Sequence, residues 1–387
     1  MIPALSASST PVRRPVLAEV PSATRCTVDV VTDYGEFLEL ESAWNDTVRR
    51  AAVMHPFLRH EWIRTWLEAF EAGAQLHVLI VRIDGRIAAI APLMRESVVM
   101  YGLRVQRIRM IHNDHTPRTD LIVASHPEES YRAIWNALQD ECDRWDVLLL
   151  SQLERDSLTR AEIPQLAAAN RCSVGMWKSS DSPYVTLDTT WDEYFNGLPA
   201  KFRSNLRNRL ARANRAGEMS LEVLTDCNAI EAASSDAWRL EASGWKQSAG
   251  TAITCDPAVQ SFYATLIERG TRAGWLRLLF LKLGDRRVAM SYGACFERRL
   301  FLFKTGYDPE YSACAPFKLL TYLAIRDACE RGLCEVDFLG DSEPWKLEWT
   351  STTRGHDWLF VFADTPRARL LHSIKFQWGP GLKRWWA

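Results

Sequence analysis

The chain of 387 residues is 47% hydrophobic and 25% charged, ordinary for a folded globular protein and long enough for two domains of about 150 residues each. Lys plus Arg (47) nearly cancels Asp plus Glu (48), and the resulting net charge of −1 excludes a globally basic nucleic-acid binder, so any such surface is local. No run of about 18 uncharged apolar residues exists, which excludes a membrane-spanning helix.

Residues 1–25 are rich in Ser, Thr and Pro and lack a basic start followed by an apolar core, so they read as a flexible leader and not as a secretion signal. Nine scattered cysteines without a CxxC pair fit reduced thiols in a cytoplasmic protein better than disulfides or a zinc site. A first unit follows over 26–185. Phe57, Trp62, Trp66 and Phe70 recur at helical spacing, and LHVLIVRIDGRIAAIAPLM (Leu76 to Met94) reads as a β-hairpin turning at Asp84-Gly85. Next comes the polar cluster IHNDHTPRTD, with His112, Asp114, His115, Arg118 and Asp120. No helix surrounds its histidines to set ligand geometry, so no metal is expected. Two readings stay open: a loop facing a substrate, with His115 or His112 as base, or a turn held by its own hydrogen bonds. A helix over Tyr131 to Trp145 and an apolar strand over Asp146 to Leu153 complete this unit.

A second unit spans 186–365. It opens on Lys201, Arg203, Arg207, Arg209, Arg212 and Arg215, a run without acids in which Phe202, Leu206 and Leu210 mark an amphipathic helix with a basic face. That face suits a nucleotide phosphate, tRNA or anionic lipid, or it is simply solvated. Beyond RLEASGWKQSAGTAI, with Glu241, Ser243, Trp245 and Lys246, the hairpin LRLLFLKLGDRRVAMSYGA (Leu276 to Ala294) lines up without gaps on the first, two hundred positions later. A helix precedes each hairpin, and strands, a helix and an apolar strand follow it; in the second unit that helix runs from Phe317 to Gly332 and that strand from Cys334 to Gly340. The expected fold is therefore α/β, with two tandem units, each a mixed sheet flanked by helices. Residues 366–387 form a tail in which Trp378, Trp385 and Trp386 alternate with Lys375, Lys383 and Arg384; such a tail suits a bilayer headgroup region, or it packs on the second unit. Neither a GxSxG elbow nor a GxxxxGK[ST] loop is present, so hydrolase and ATPase readings lack support.

The stretches KFRSNLRNRLARANRAG, RLEASGWKQSAGTAI, FLFKTGYDPEYSACAPFKLL and VDFLGDSEPWKLEW, together covering about Pro199 to Trp349, resemble the tandem GNAT acyltransferase group. That group includes the CelD-type proteins, the Fem-type peptidyl ligases and bacterial ceramide synthases. The resemblance implies an N-acyltransferase whose second unit holds an activated donor, an acyl-CoA as co-substrate, with the amine acceptor between the units. It points to Lys304, Thr305, Ser312, Ala313, Cys314 and Ala315 at the donor, although the SACAP stretch has no glycine where the family's phosphate loop is glycine-rich. Tyr307 is expected to protonate the leaving thiolate. Asp337, on a central strand, is expected either to take the proton from the amine or to cap a loop or pair with Lys346. Trp245, Asp341 and Lys346 would line the acceptor side with His112, Asp114 and Arg118. The acceptor expected is a long-chain sphingoid-type amine, as in ceramide synthesis; the alternatives are an amino sugar or exopolysaccharide precursor, or a Fem-like reaction with aminoacyl-tRNA, the one case with a nucleic-acid partner. A non-catalytic scaffold is the remaining possibility. The expected location is cytoplasmic, peripheral on the inner membrane.

Overall fold

A computed structural model describes residues 25–70, 75–243, 250 and 252–378. Most of the leader, Trp245, Lys246 and the end of the tail with Trp385 and Trp386 lie outside the described residues. Among those described, no helix is long and apolar enough to cross a membrane.

In the first half, β1 (Cys26–Val31) lies antiparallel to β3 (Val78–Ile83), which follows the short β2 (Gln75–Leu76) and turns into β4 (Arg86–Ala91); β5 (Leu93–Met100), β6 (Leu103–Met110), β7 (Ile122–Val123), β8 (Val147–Glu154) and β9 (Ser173–Thr186) follow. In the second half, β10 (Met219–Leu224) lies antiparallel to β11 (Leu276–Leu283), followed by β12 (Arg286–Phe296), β13 (Arg299–Tyr307), β14 (Glu335–Asp337) and β15 (Thr353–Phe362). The sequence repeat is a structural one. Cys26 pairs with Ile83 as Met219 pairs with Leu283, and the hairpin ladder slips at Val81/Arg82 in one copy and at Leu281/Lys282 in the other. A bulge kept at the same repeat position is a conformation that the repeated pattern imposes twice.

The halves are joined by more than a linker. The large sheet has eleven strands in the order β10-β11-β12-β13-β14-β9-β15-β8-β6-β5-β2, so β9 of the first half pairs with β14 of the second, while β15 of the second pairs with β8 of the first. Each half thus lends its last strand to the other, and the two lent strands pair antiparallel at the centre.

The helices that precede the two hairpins, His60–Phe70 and Pro257–Arg272, pack on each other. Trp62 meets Phe262 with ring centroids 5.8 Å apart, and Arg269 pairs with Glu68 at 2.7 Å. Trp62 and Trp66 are fully buried, as their spacing required, whereas Phe57 sits in a short 3-10 turn before the helix.

Candidate active site

The site forms where the central strands stop pairing. Parallel strands β13 and β14 share only three pairs, from Arg299–Glu335 to Phe301–Asp337, and beyond them the sheet opens. Just there the β12–β13 ladder slips: Tyr292 pairs with Lys304 and Gly293 with Leu302, which leaves Phe303 as the extra, unpaired residue. A bulge of this kind turns a backbone N–H out of the ladder. On the other side of the opening Leu339 (φ 54°) and Gly340 (φ 60°) both take left-handed conformations, which turn the chain sharply. The Leu339 peptide is pinned at both ends: its N–H donates to Asp337 Oδ1 at 2.8 Å and its carbonyl accepts from Lys346 Nζ at 2.8 Å.

The first half opens in the same way. Strands β6 and β8 pair from Arg107–Val147 to Arg109–Leu149 and then separate, and the polar loop after β6 enters the gap. Both openings lead into one cleft of about 430 Å3. Asp114, His115, Thr116, Pro117 and Gln152 line it from the first half; Tyr263, Phe303 and Lys304, then Phe338 to Asp341 and Lys346, line it from the second. The lent strands contribute Ser179, Ser180 and Trp358. Of the residues anticipated from sequence, Asp114, His115, Lys304, Asp341 and Lys346 therefore meet in one place.

His115 stacks on Phe70 at 5.5 Å, and its Nδ1 lies 3.4 Å from the Tyr263 hydroxyl. Burial, and then the nearby Lys304, push its pKa down to about 4, so at neutral pH the imidazole is uncharged and open to a proton. The Lys304 ammonium sits 5.5 Å from the Tyr263 ring centre. Lys346 is buried and donates to the carbonyls of Leu339 and Asp341 at 2.8 and 2.9 Å; burial lowers its pKa. Asp114 and Asp341 are exposed at the mouth of the cleft.

Asp337, Arg118, His112, Tyr307 and Thr305 do not take their anticipated places. Asp337 is fully buried, with Oδ2 held by Arg118 and by Arg354 at 2.6 Å and Oδ1 by the Leu339 N–H. A carboxylate with both oxygens so engaged is a structural charge, and its partners are arginines rather than Lys346. Arg118 is likewise consumed by this ion cluster, 3% exposed, and faces a separate cleft of about 490 Å3 with Asp120, whose pKa burial raises to about 6. His112 does not line the cleft itself but packs edge-on behind Trp358, with ring centroids 6.3 Å apart, and burial lowers its pKa to about 3. Tyr307 is 40% exposed at the far end of β13, opposite Ala289, and does not line the cleft; Thr305 pairs with Ser291. The candidate residues that sequence did not single out are Gln152, Ser179, Ser180, Tyr263, Phe303 and Trp358. A polar run, SSDS, in the middle of the 14-residue strand β9 was the available signal for the two serines.

At the expected donor loop, Pro309–Cys314 is a 3-10 helix and the helix Pro316–Glu330 follows it. This helix start offers a diphosphate fewer N–H groups than a glycine-rich loop would: Ala315 N–H already donates to the Ser312 carbonyl at 2.9 Å, Pro316 has no N–H, and Cys314 is buried. Among the described residues no group of His, Cys, Asp and Glu is placed to hold a metal.

Residues 200–347 match the family model described as acetyltransferase (GNAT) domain. Over these residues the second half is similar to a GNAT domain. No curated protein matches the chain. Among solved structures it is similar to FemX, at 13% identity and a TM-score of 0.58 over 85% of this chain and 97% of that one. It is also similar to the C-terminal DUF2156 domain of a protein assigned as a lysylphosphatidylglycerol synthetase from Agrobacterium fabrum, at 11% identity and a TM-score of 0.52, covering 88% and 96%. A conserved protein from Bacteroides thetaiotaomicron gives 9% identity and a TM-score of 0.55, covering 87% and 100%. At these identities the likeness is one of fold. The domain match in the second half, with the strand pairing that the first half repeats, supports GNAT-like units and an N-acyltransferase.

Proposed function

We propose that the chain transfers an acyl group from a thioester to a primary amine within the 430 Å3 cleft. The observation that carries this reading is the convergence of two openings: the bulged Phe303 beside β14 faces His115 and Asp114 from the other half. The Phe303 N–H would hold the thioester carbonyl and stabilise the oxyanion as the amine attacks. Asp114 and Asp341 would draw the ammonium of the acceptor toward the cleft, where it loses a proton to solvent before attack. Once the nitrogen is bonded to the acyl carbon it becomes far more acidic, and neutral His115 would take its second proton. The C–S bond then breaks, the amide forms, and the thiolate is protonated from solvent or from the imidazolium.

Hydroxyls and an amide from Ser179, Ser180 and Gln152 suit an amine flanked by hydroxyl groups, a feature that sphingoid bases and amino sugars share. Exposed Trp378 supports a long-chain acceptor drawn from a membrane surface, although Lys375 is turned inward, with its Nζ 3.4 Å from the Trp177 ring centre.

The test is to incubate the full chain with an acyl-N-acetylcysteamine thioester and a panel of amino alcohols, amino sugars and long-chain amines, following free thiol and the amide by mass spectrometry. Amide formation is expected, with His115→Gln slower by about 10²–10⁴-fold at unaltered fold. Transfer from aminoacyl-tRNA with none from any thioester would reject this reading.

A further inference from the structure

The helix Ala200–Ala216 carries Lys201, Arg203, Arg207, Arg209, Arg212 and Arg215 and no acid. Its 17 residues extend about 25 Å. Phe202, Leu206 and Ala213 are buried against the second-half core, which forces the cations outward; Lys201, Arg207, Arg212 and Arg215 are exposed. Among the described residues none of the six has a carboxylate within ion-pair distance, whereas several other arginines of this half do, as Arg287 with Glu222 and Arg326 with Glu330. In a chain of net charge −1, six unneutralised cations on one helix form a local field.

This helix packs beside the donor loop: Arg212 Nη1 lies 3.4 Å from the Ala313 carbonyl. That loop offers a diphosphate few free N–H groups, since Ala315 N–H is engaged and Pro316 has none, so the negative charge of the donor calls for cations beside it. The positive face is also longer than a nucleotide, whose phosphates cluster at one end of the pantetheine arm. It ends abruptly, because Asp192 and Glu193 are exposed on the preceding helix Trp191–Gly197. No exposed aromatic side chain accompanies the cations on the helix itself, where Phe202 is buried, so a base-stacking platform is missing. A bounded, purely cationic helix face complements a bounded acidic helix better than a continuous phosphate backbone.

We infer that the outer face of helix Ala200–Ala216 docks an acidic carrier protein that delivers the acyl group as a thioester on its phosphopantetheine arm. The inference rests on the acyl-transfer reading of the cleft and names the class of its donor. The arm enters beside the 3-10 segment and runs to the opening at Phe303; after transfer its thiol leaves on the carrier, and the acyl group stays on the amine. Rim charges of this kind act mainly on association and on salt dependence.

The experiment measures two quantities on the full chain and on the double variant Arg209→Glu/Arg215→Glu. One is binding of a purified bacterial holo acyl carrier protein by fluorescence anisotropy. The other is the ratio of kcat/KM for hexadecanoyl carrier protein to that for hexadecanoyl-N-acetylcysteamine. Binding that weakens as salt rises is expected, and the ratio should fall by about tenfold or more in the variant. Thermal melting of the variant checks its fold, with Lys201→Glu as a second, more peripheral probe. Absence of carrier binding, or a ratio that reversal does not move, overturns the inference. So does an equal loss for hexadecanoyl-CoA, which would assign the helix to nucleotide phosphates, or displacement of the carrier by tRNA at lower concentration. If the carrier binds through the helix and no thioester of any kind acylates an amine, the docking surface stands and the acyl-transfer reading fails.

Discussion

The two halves start from one pattern and diverge at three places. Position 92 is Pro in the first hairpin and its counterpart, position 292, is Tyr in the second. Proline cannot donate to a ladder, so the first half breaks there into β4 of a separate four-stranded sheet and β5 of the large one, whereas β12 runs unbroken for 11 residues. The β5–β6 ladder has no slip, while β13 bulges at Phe303. Both following helices begin with a left-handed residue and a proline, His126-Pro127 and Ala315-Pro316, but the first then places Glu128 and Glu129 in its opening turn, where the second has Phe317 and Lys318. Two carboxylates at a helix N-terminus repel an anionic ligand. The comparison teaches that one scaffold stands in both halves, that the opening in the second is the one compatible with the proposed donor, and that the opening in the first brings Asp114 and His115 to the cleft.

The largest expected effect comes from cutting the seam between the halves. Asp337→Ala would leave Arg118 and Arg354 buried without their shared carboxylate and should cost about 3–5 kcal/mol in urea unfolding. A loss of activity at unchanged stability would instead restore Asp337 to a chemical role.

Acid should loosen the first half before the second. Burial, before any neighbouring charge, lowers His77, His115 and His356 to about 4 and His112 to about 3, and only His356 belongs to the second half. Their folded pKa values lie below the unfolded 6.5, so the unfolded chain binds more protons between those values and stability falls as pH drops from about 6.5 to 4. Each histidine contributes a slope of up to about 1.4 kcal/mol per pH unit, and raised Asp120 opposes the trend below about pH 6. Urea midpoints across this range would measure it, and a flat profile would contradict the burial of these rings.

A more local change separates packing of the donor opening from its chemistry. A Cβ on Gly306 would lie 2.2 Å from the Leu240 carbonyl oxygen and 2.6 Å from Glu241 Cα, both backbone atoms. Gly306→Ala should therefore shift β13, cost about 1–3 kcal/mol and raise the donor KM with less change in the acceptor KM. Equal shifts in both would place the acceptor on β13 as well. The smallest effect belongs to the paired helices: Glu68→Gln removes a partly exposed ion pair with Arg269 and should cost less than about 1 kcal/mol by thermal melting.

Much of this architecture was legible because it is local. Alternating apolar residues around two-residue turns specify a hairpin wherever they occur, and the repeat at two hundred positions marked two units, with the basic helix and the Phe317 to Gly332 helix at their observed places. A strand that carries Asp337 and a loop that carries His115 were likewise visible as unusual. What they do was not legible, since the partners lie far away along the chain: Arg118 is 219 positions from Asp337, and Tyr263 is 148 from His115. Nor does any pattern within β9 or β15 say that each will pair outside its own half, because a strand edge offers the same backbone N–H and C=O groups to any neighbour. The sequence by itself determined the elements, their duplication and the residue types present. Only the tertiary structure decided which carboxylate is locked by arginines and which histidine faces the cleft, since burial and charge partnership exist only after distant strands have been brought into one sheet.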